Sequence, residues 1–157
     1  MNENNKKKML YFQSFILFSG TLFAWSQLVP QIMNFYSTYG TVLRFRDCAI
    51  PNPFMTACFF GSLAFIIALV WSFRILRNPT HKSQRVFKNF LLFCVAFAAS
   101  VLVYEFADFY KLIPAGGIPI SCSPGVAPWK TPCFFGLLFF VAAYGASRIN
   151  TRQLKTE

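Results

Sequence analysis

The chain has 157 residues, of which 55% are hydrophobic, 19% aromatic and 13% charged, with a formal net charge of +10. Its charged fraction is about half that of an ordinary soluble domain, which excludes a water-soluble globule, and its apolar content excludes a disordered chain. The length fits one unit, and the basic residues are scattered between long apolar segments instead of forming a face, which excludes nucleic acid as a partner.

The stretch Met9 to Leu43 carries no charge. Its apolar part, Met9 to about Tyr36, exceeds the roughly 20 residues a helix needs to cross a hydrocarbon core of about 30 Å. Lys6, Lys7 and Lys8 precede it as in a signal peptide, but the run is too long for a signal core and no convincing small-residue cleavage site follows. It reads as a retained anchor. Pro30 interrupts this span, removing a backbone hydrogen bond and freeing the carbonyl near Ser26, so a kink is expected. The surrounding Leu28-Val-Pro-Gln-Ile-Met-Asn34 is similar to the Pro-Gln motif of PQ-loop sugar and amino-acid transporters, a resemblance that implies a small transporter with a hinged helix. Those proteins are built from three-span repeats.

Further apolar runs follow at Ala57 to Phe73, at Asn89 to Tyr104 with amphipathic flanks Val86 to Lys88 and Glu105 to Leu112, and at Pro132 to Ser147. The expected fold is an all-α membrane protein with four transmembrane helices in a bundle. Eleven Lys and Arg residues lie in the amino terminus, the middle connection and the tail, against four in the other two loops. Basic residues stay cytoplasmic, so both termini are expected there, in a multi-pass protein of the plasma or inner membrane. The excess positive charge then meets anionic lipid headgroups. Tyr11 and Trp71 on the inner side, and Tyr36, Tyr39, Tyr110 and Trp129 on the outer, would form aromatic belts. Ala64/Ala68 and Ala142/Ala146 have the four-residue spacing that lets helices approach closely.

Pro53-Phe-Met-Thr-Ala-Cys-Phe-Phe-Gly61 returns 75 residues later as Pro128-Trp-Lys-Thr-Pro-Cys-Phe-Phe-Gly136, identical at six of nine positions. This predicts a tandem duplication of a two-helix hairpin, repeat one at 9–78 and repeat two at 84–152, within a single membrane domain spanning 1–157. Each copy has two spans, so both enter the membrane with one polarity and a pseudo-twofold axis should run along the membrane normal. Residues 1–8 and 150–157 are expected to be flexible cytoplasmic tails.

In each copy Thr56 or Thr131 is placed to cap the shorter helix and Cys58 or Cys133 follows two residues on. A helix amino terminus favours a thiolate, so reactivity is permitted. Cys48, Cys58, Cys122 and Cys133 fall on the side expected to be oxidising, where disulfides persist. Three connectivities are open, with Cys48–Cys58 and Cys122–Cys133 favoured because each copy then closes its own loop. Cys94 falls mid-span as a buried, inert residue, and His81 is expected in a solvated loop. No cluster of metal-ligand spacing exists in the sequence, so no metal is expected.

Glu105, Asp108 and Lys111 recur at one-turn spacing and can share a helix face. They are expected as an interfacial ion-paired cluster, with Glu105 and Asp108 as a candidate intramembrane proton or substrate site.

The first functional expectation is a non-enzymatic scaffold or partner-binding component without a cofactor. Its surroundings would be the lipid bilayer and a membrane or extracytoplasmic protein partner, held by the aromatic outer loops Ile50 to Phe60 and Ile118 to Phe135. The alternative comes from architecture: four spans with cysteine-bearing outer loops resemble the membrane thiol oxidoreductases of the DsbB and vitamin K epoxide reductase families. The resemblance implies electron exchange between protein thiols and a quinone. Cys58 or Cys133 would then attack, Cys48 or Cys122 would resolve, and phenylalanines would line a ring-binding pocket. Those families carry Cys-x-x-Cys at the start of a span, whereas Cys58 and Cys133 are each followed by Phe-Phe-Gly.

Overall fold

The computed structural model describes residues 3–41, 52–112 and 126–155. Over these residues the regular structure is helical: α1 (Glu3–Tyr39), α2 (Ala57–Arg77), α3 (His81–Phe109) and α4 (Pro132–Lys155), with a 3-10 turn directly before α2 (Pro53–Met55) and before α4 (Pro128–Lys130). All four helices are long and apolar enough to cross a membrane. A helix suits hydrocarbon because it satisfies its own backbone polar groups, which lipid cannot do.

The terminators are local. Gly40 ends α1 in the left-handed region at φ 66°, with its N–H donating to Tyr36 O at 2.8 Å, a conformation that costs glycine nothing. Lys111 takes the same region at φ 56° after α3, and the Leu112 N–H reaches back to Ala107 O at 2.8 Å. Between α2 and α3 only Asn78, Pro79 and Thr80 intervene. The turn is short because Arg74 and Arg77 belong to the last turn of α2, while Lys82, Arg85 and Lys88 stand on the first turns of α3.

Around the bundle, α1 packs on α2 and α4, α3 packs on α4 and more sparsely on α2, and α2 meets α4 across the diagonal. Lys7, Lys8, Arg74, Arg77, Lys82, Arg85, Lys88, Arg148 and Arg152 gather at one end, the basic end; Cys58 and Cys133 lie at the other. The core is a set of stripes with helical spacing, such as Phe87, Leu91, Cys94 and Leu102 on α3 and Phe140, Ala143 and Ala146 on α4. Phe65 sits at its centre, stacked on Phe140 with centroids 4.0 Å apart and planes at 9°.

Several expectations change here. His81 is not in a loop but opens α3, half-buried. The third helix begins at His81, ahead of the flank expected from Val86, with Lys82 and Arg85 exposed while Gln84 and Phe87 turn inward. Helical structure extends into both expected tails, and Asn150 is buried because its Nδ2 donates to Gln13 Oε1 at 2.7 Å. Trp71 packs edge-on to Phe87, at 5.7 Å between ring centroids. Ala68 and Ala146 are buried as the spacing suggests, but Ala142 is exposed and its place is taken by Ala143.

Gly20 on α1 faces Phe65, and a Cβ added there would lie 2.6 Å from the ring. That ring is pinned by Phe140, so the helices themselves would have to part. Gly20→Ala is expected to lower stability by about 1–2 kcal/mol, the cost of overpacking exceeding the gain in helix propensity. Unfolding in mixed micelles measures it, and a neutral or stabilising result contradicts this packing.

Candidate functional site

The two copies of the repeated motif adopt one local conformation. Asn52 and Ala127 lead into the 3-10 turns; Thr56 and Thr131 follow with extended backbone (φ −85°, ψ 152° and φ −76°, ψ 150°) and begin the helices. Both threonines are buried. Neither makes the expected helix cap through its hydroxyl. Thr56 Oγ1 donates instead to Pro53 O at 2.7 Å, and Thr131 Oγ1 lies 2.8 Å from Pro128 O, so each closes the turn before its helix.

Because each cysteine is the second residue of its helix, and α2 and α4 meet diagonally, the two sulfurs come together. Cys58 Sγ and Cys133 Sγ are 3.6 Å apart, in contact but not bonded. Cys133 is a free thiol, so the expected Cys122–Cys133 bond is not formed. Cys58 is disulfide-bonded, to a partner other than the free thiols Cys94 and Cys133. Cys48 and Cys122 lie outside the described residues, as does most of both outer loops. Cys94 is buried in mid-span, as expected.

Glu105 also reaches this site. It is 5% exposed, and its Oε2 accepts from Thr131 Oγ1 at 2.8 Å, two residues before Cys133 in the chain. Oε1 has no geometrically formed hydrogen bond among the described residues. Asp108 and Lys111 are exposed. The three therefore do not form the shared face that their spacing suggested: Glu105 falls on the inward stripe of Leu91, Cys94 and Leu102, and the other two do not.

Beside the sulfurs lies a cavity of about 550 Å³ walled by all four helices. Both Cys58 and Cys133 line it, with Phe23, Phe60, Phe65, Phe90, Phe93, Phe97 and Phe140 among its aromatic walls, and Gln27 as an amide. Phe60, Ile67 and Phe93, which are exposed, line it on α2 and α3, the more sparsely packed side of α3. The volume lies within the ~300–1,000 Å³ of small-molecule sites. Among the described residues no group of three His, Cys, Asp or Glu side chains lies together.

At the basic end a polar network escaped the sequence reading. Gln84 Nε2 donates to Gln13 Oε1 at 2.9 Å and to Ser147 Oγ at 3.2 Å, Asn150 joins at Gln13, and Ser14 Oγ and Ser72 Oγ are 2.8 Å apart. The available signal was periodic: Gln84 continues the stripe of Phe87 and Leu91, and Asn150 that of Ala143 and Ala146. Such interhelical bonds are worth roughly 0.6–2 kcal/mol each in a membrane, which suits a clamp on three helices.

No protein-family model matches the chain, and no curated protein or solved structure matches it.

Proposed function

We propose that this chain is an integral membrane thiol–disulfide oxidoreductase in which Cys58 and Cys133 exchange electrons with an apolar two-electron carrier, a quinone, held in the cavity between α2 and α3. One observation carries the reading: a free thiol lies 3.6 Å from a sulfur already in a disulfide, and both line an aromatic cavity. Thiol–disulfide exchange needs that approach of an attacking sulfur to a bonded one.

The chemistry balances in two parts. A bound quinone would accept two electrons and two protons from the Cys58/Cys133 dithiol, leaving a Cys58–Cys133 disulfide. Attack on Cys58 by the sulfur of its other partner cysteine then forms the second bond, breaks the first and expels Cys133, which collects a proton. That leaves the arrangement seen: Cys58 in a disulfide, Cys133 free. Exchange between that disulfide and a protein dithiol outside the membrane would return the site to its reduced form. The ring-lined walls suit a quinone head by stacking, and Gln27 supplies a hydrogen-bond donor.

Finer features of the architecture belong to the same proposal. The hairpins are tandem copies, supported by the matched turns at Thr56 and Thr131 and by contact between equivalent cysteines, as an axis between α2 and α4 requires. The basic end faces the cytoplasm, supported by the charge bias, which puts both sulfurs in the outer leaflet, where disulfides persist. The scaffold reading leans on the outer loops Ile50 to Phe60 and Ile118 to Phe135, of which residues 50–51 and 118–125 lie outside the described residues, and the transporter reading on Pro30, which is exposed.

The test is single-turnover reduction of decyl-ubiquinone by purified protein, first reduced and then freed of reductant. At least one quinone per chain is expected to be reduced rapidly, with Cys133→Ser and Cys58→Ser each slower by 100-fold or more. Equal rates in wild type and Cys133→Ser would rule the reading out.

A further inference from the structure

Moving Cys133 between thiol, disulfide and leaving group moves a proton each time, in a cavity whose apolar walls do not solvate a bare thiolate. Cys133 needs a proton partner beside it. Asp108 and Lys111 on α3 and Lys130 on the turn before α4 are exposed, and Cys58 from α2 is oxidised. Tyr104 stands next to Glu105 in the chain and is half-buried. Among the described carboxyl groups at this end, Glu105 is the buried one, bonded to the residue two before Cys133 and with its second oxygen unpartnered among the described residues.

Hydrogen-bond counting points the same way. Thr131 Oγ1 is 2.8 Å from both Pro128 O and Glu105 Oε2, yet a hydroxyl has one hydrogen to give. In the twin motif, Thr56 gives its hydrogen to Pro53 O. Thr131 can give that one hydrogen to the Glu105 carboxylate, and its oxygen can accept from the carboxyl once Glu105 has taken a proton. The unpartnered Oε1 remains for the thiol. Thr131 can therefore hold the carboxyl both before and after it takes a proton.

We infer that Glu105 is the proton relay of Cys133, taking the thiol proton as the sulfur becomes a nucleophile and returning one when Cys133 departs as a leaving group, with Thr131 holding the carboxyl in place. The inference rests on the exchange reading of the Cys58/Cys133 pair, but not on the identity of the carrier. In the forward step the S–H bond breaks, the proton passes to a Glu105 carboxylate oxygen, and the sulfur pair attacks a disulfide. In the reverse step the O–H of Glu105 protonates the sulfur as its S–S bond breaks.

The experiment uses 4,4′-dithiodipyridine, a small apolar disulfide that releases coloured thiopyridone when a thiol attacks it. It is run on full-length protein in micelles in a Cys94→Ala background, with Cys133→Ser subtracted. With Glu105 present the Cys133 rate is expected to vary little between pH 6 and 8. Glu105→Gln should be at least tenfold slower at pH 7 and gain about tenfold per pH unit, as expected when only hydroxide removes the proton. A Glu105→Gln protein as fast as wild type or faster overturns the inference, because a carboxylate that merely repels a thiolate speeds the reaction when removed. Should Glu105→Gln fail to fold, Glu105→Asp decides: a slowed but pH-flat rate supports the relay, and an unchanged rate refutes it. Failure of quinone reduction with a Glu105-dependent dithiodipyridine reaction would remove the carrier and leave the relay; the converse would remove the relay alone.

Discussion

Replacing Phe65 with alanine is expected to destabilise the bundle by roughly 2–3 kcal/mol, below the ~3–5 kcal/mol of a water-soluble core. The discount has a physical cause. In lipid the side chain gains nothing by leaving hydrocarbon for a protein interior, so the transfer part of the usual penalty drops out and lost packing remains. That packing is unusually dense around Phe65, which is 2% exposed, stacked on Phe140 and edge-on to Phe139, and closes the gap left by Gly20. It also lines the cavity, so removing its ring should enlarge the pocket. The control is Phe93→Ala. Phe93 is 68% exposed, lipid can replace its contacts, and a change within about 0.5 kcal/mol is expected. Equal losses at both sites in mixed-micelle unfolding would mean that packing at Phe65 does not hold the helices.

The contrast between these two phenylalanines also marks how far the sequence could be read. Four spans were legible because hydropathy alternates with charge on a scale that the bilayer thickness sets. Their ends were less so: the third span with its flank was read back to Val86, but the helix continues to His81 with basic side chains at one end and Gln84 inside. The repeat put Cys58 and Cys133 at equivalent helix starts, yet their 3.6 Å approach was not legible. Spacing within each copy suggests bonds inside that copy, whereas diagonal packing of α2 on α4 creates the contact between copies. Glu105 was noticed for its own neighbours, Asp108 and Lys111. Its position in the stripe with Leu91, Cys94 and Leu102 predicts the inward direction better than the charge pattern predicts pairing.

Filling the cavity from Gly61 should abolish quinone reduction while leaving the fold intact. A Cβ placed on Gly61 meets nothing within 4 Å, in contrast to Gly20 on the neighbouring helix. Gly61 lies one turn after Cys58 on α2 and belongs to the cavity wall. A phenylalanine there has room in the space the carrier would occupy, and replacing glycine inside a helix recovers a few tenths of a kcal/mol of propensity. Gly61→Phe is therefore expected to match or slightly exceed wild type in stability and to lose at least tenfold in decyl-ubiquinone reduction. Gly61→Ala should keep both, because a methyl group leaves most of about 550 Å³ free. This pair separates blockage from damage, which substitutions of the cysteines cannot do. Full turnover in a well-folded Gly61→Phe protein would place the carrier elsewhere, since a ring in the pocket and a quinone in the same pocket exclude each other.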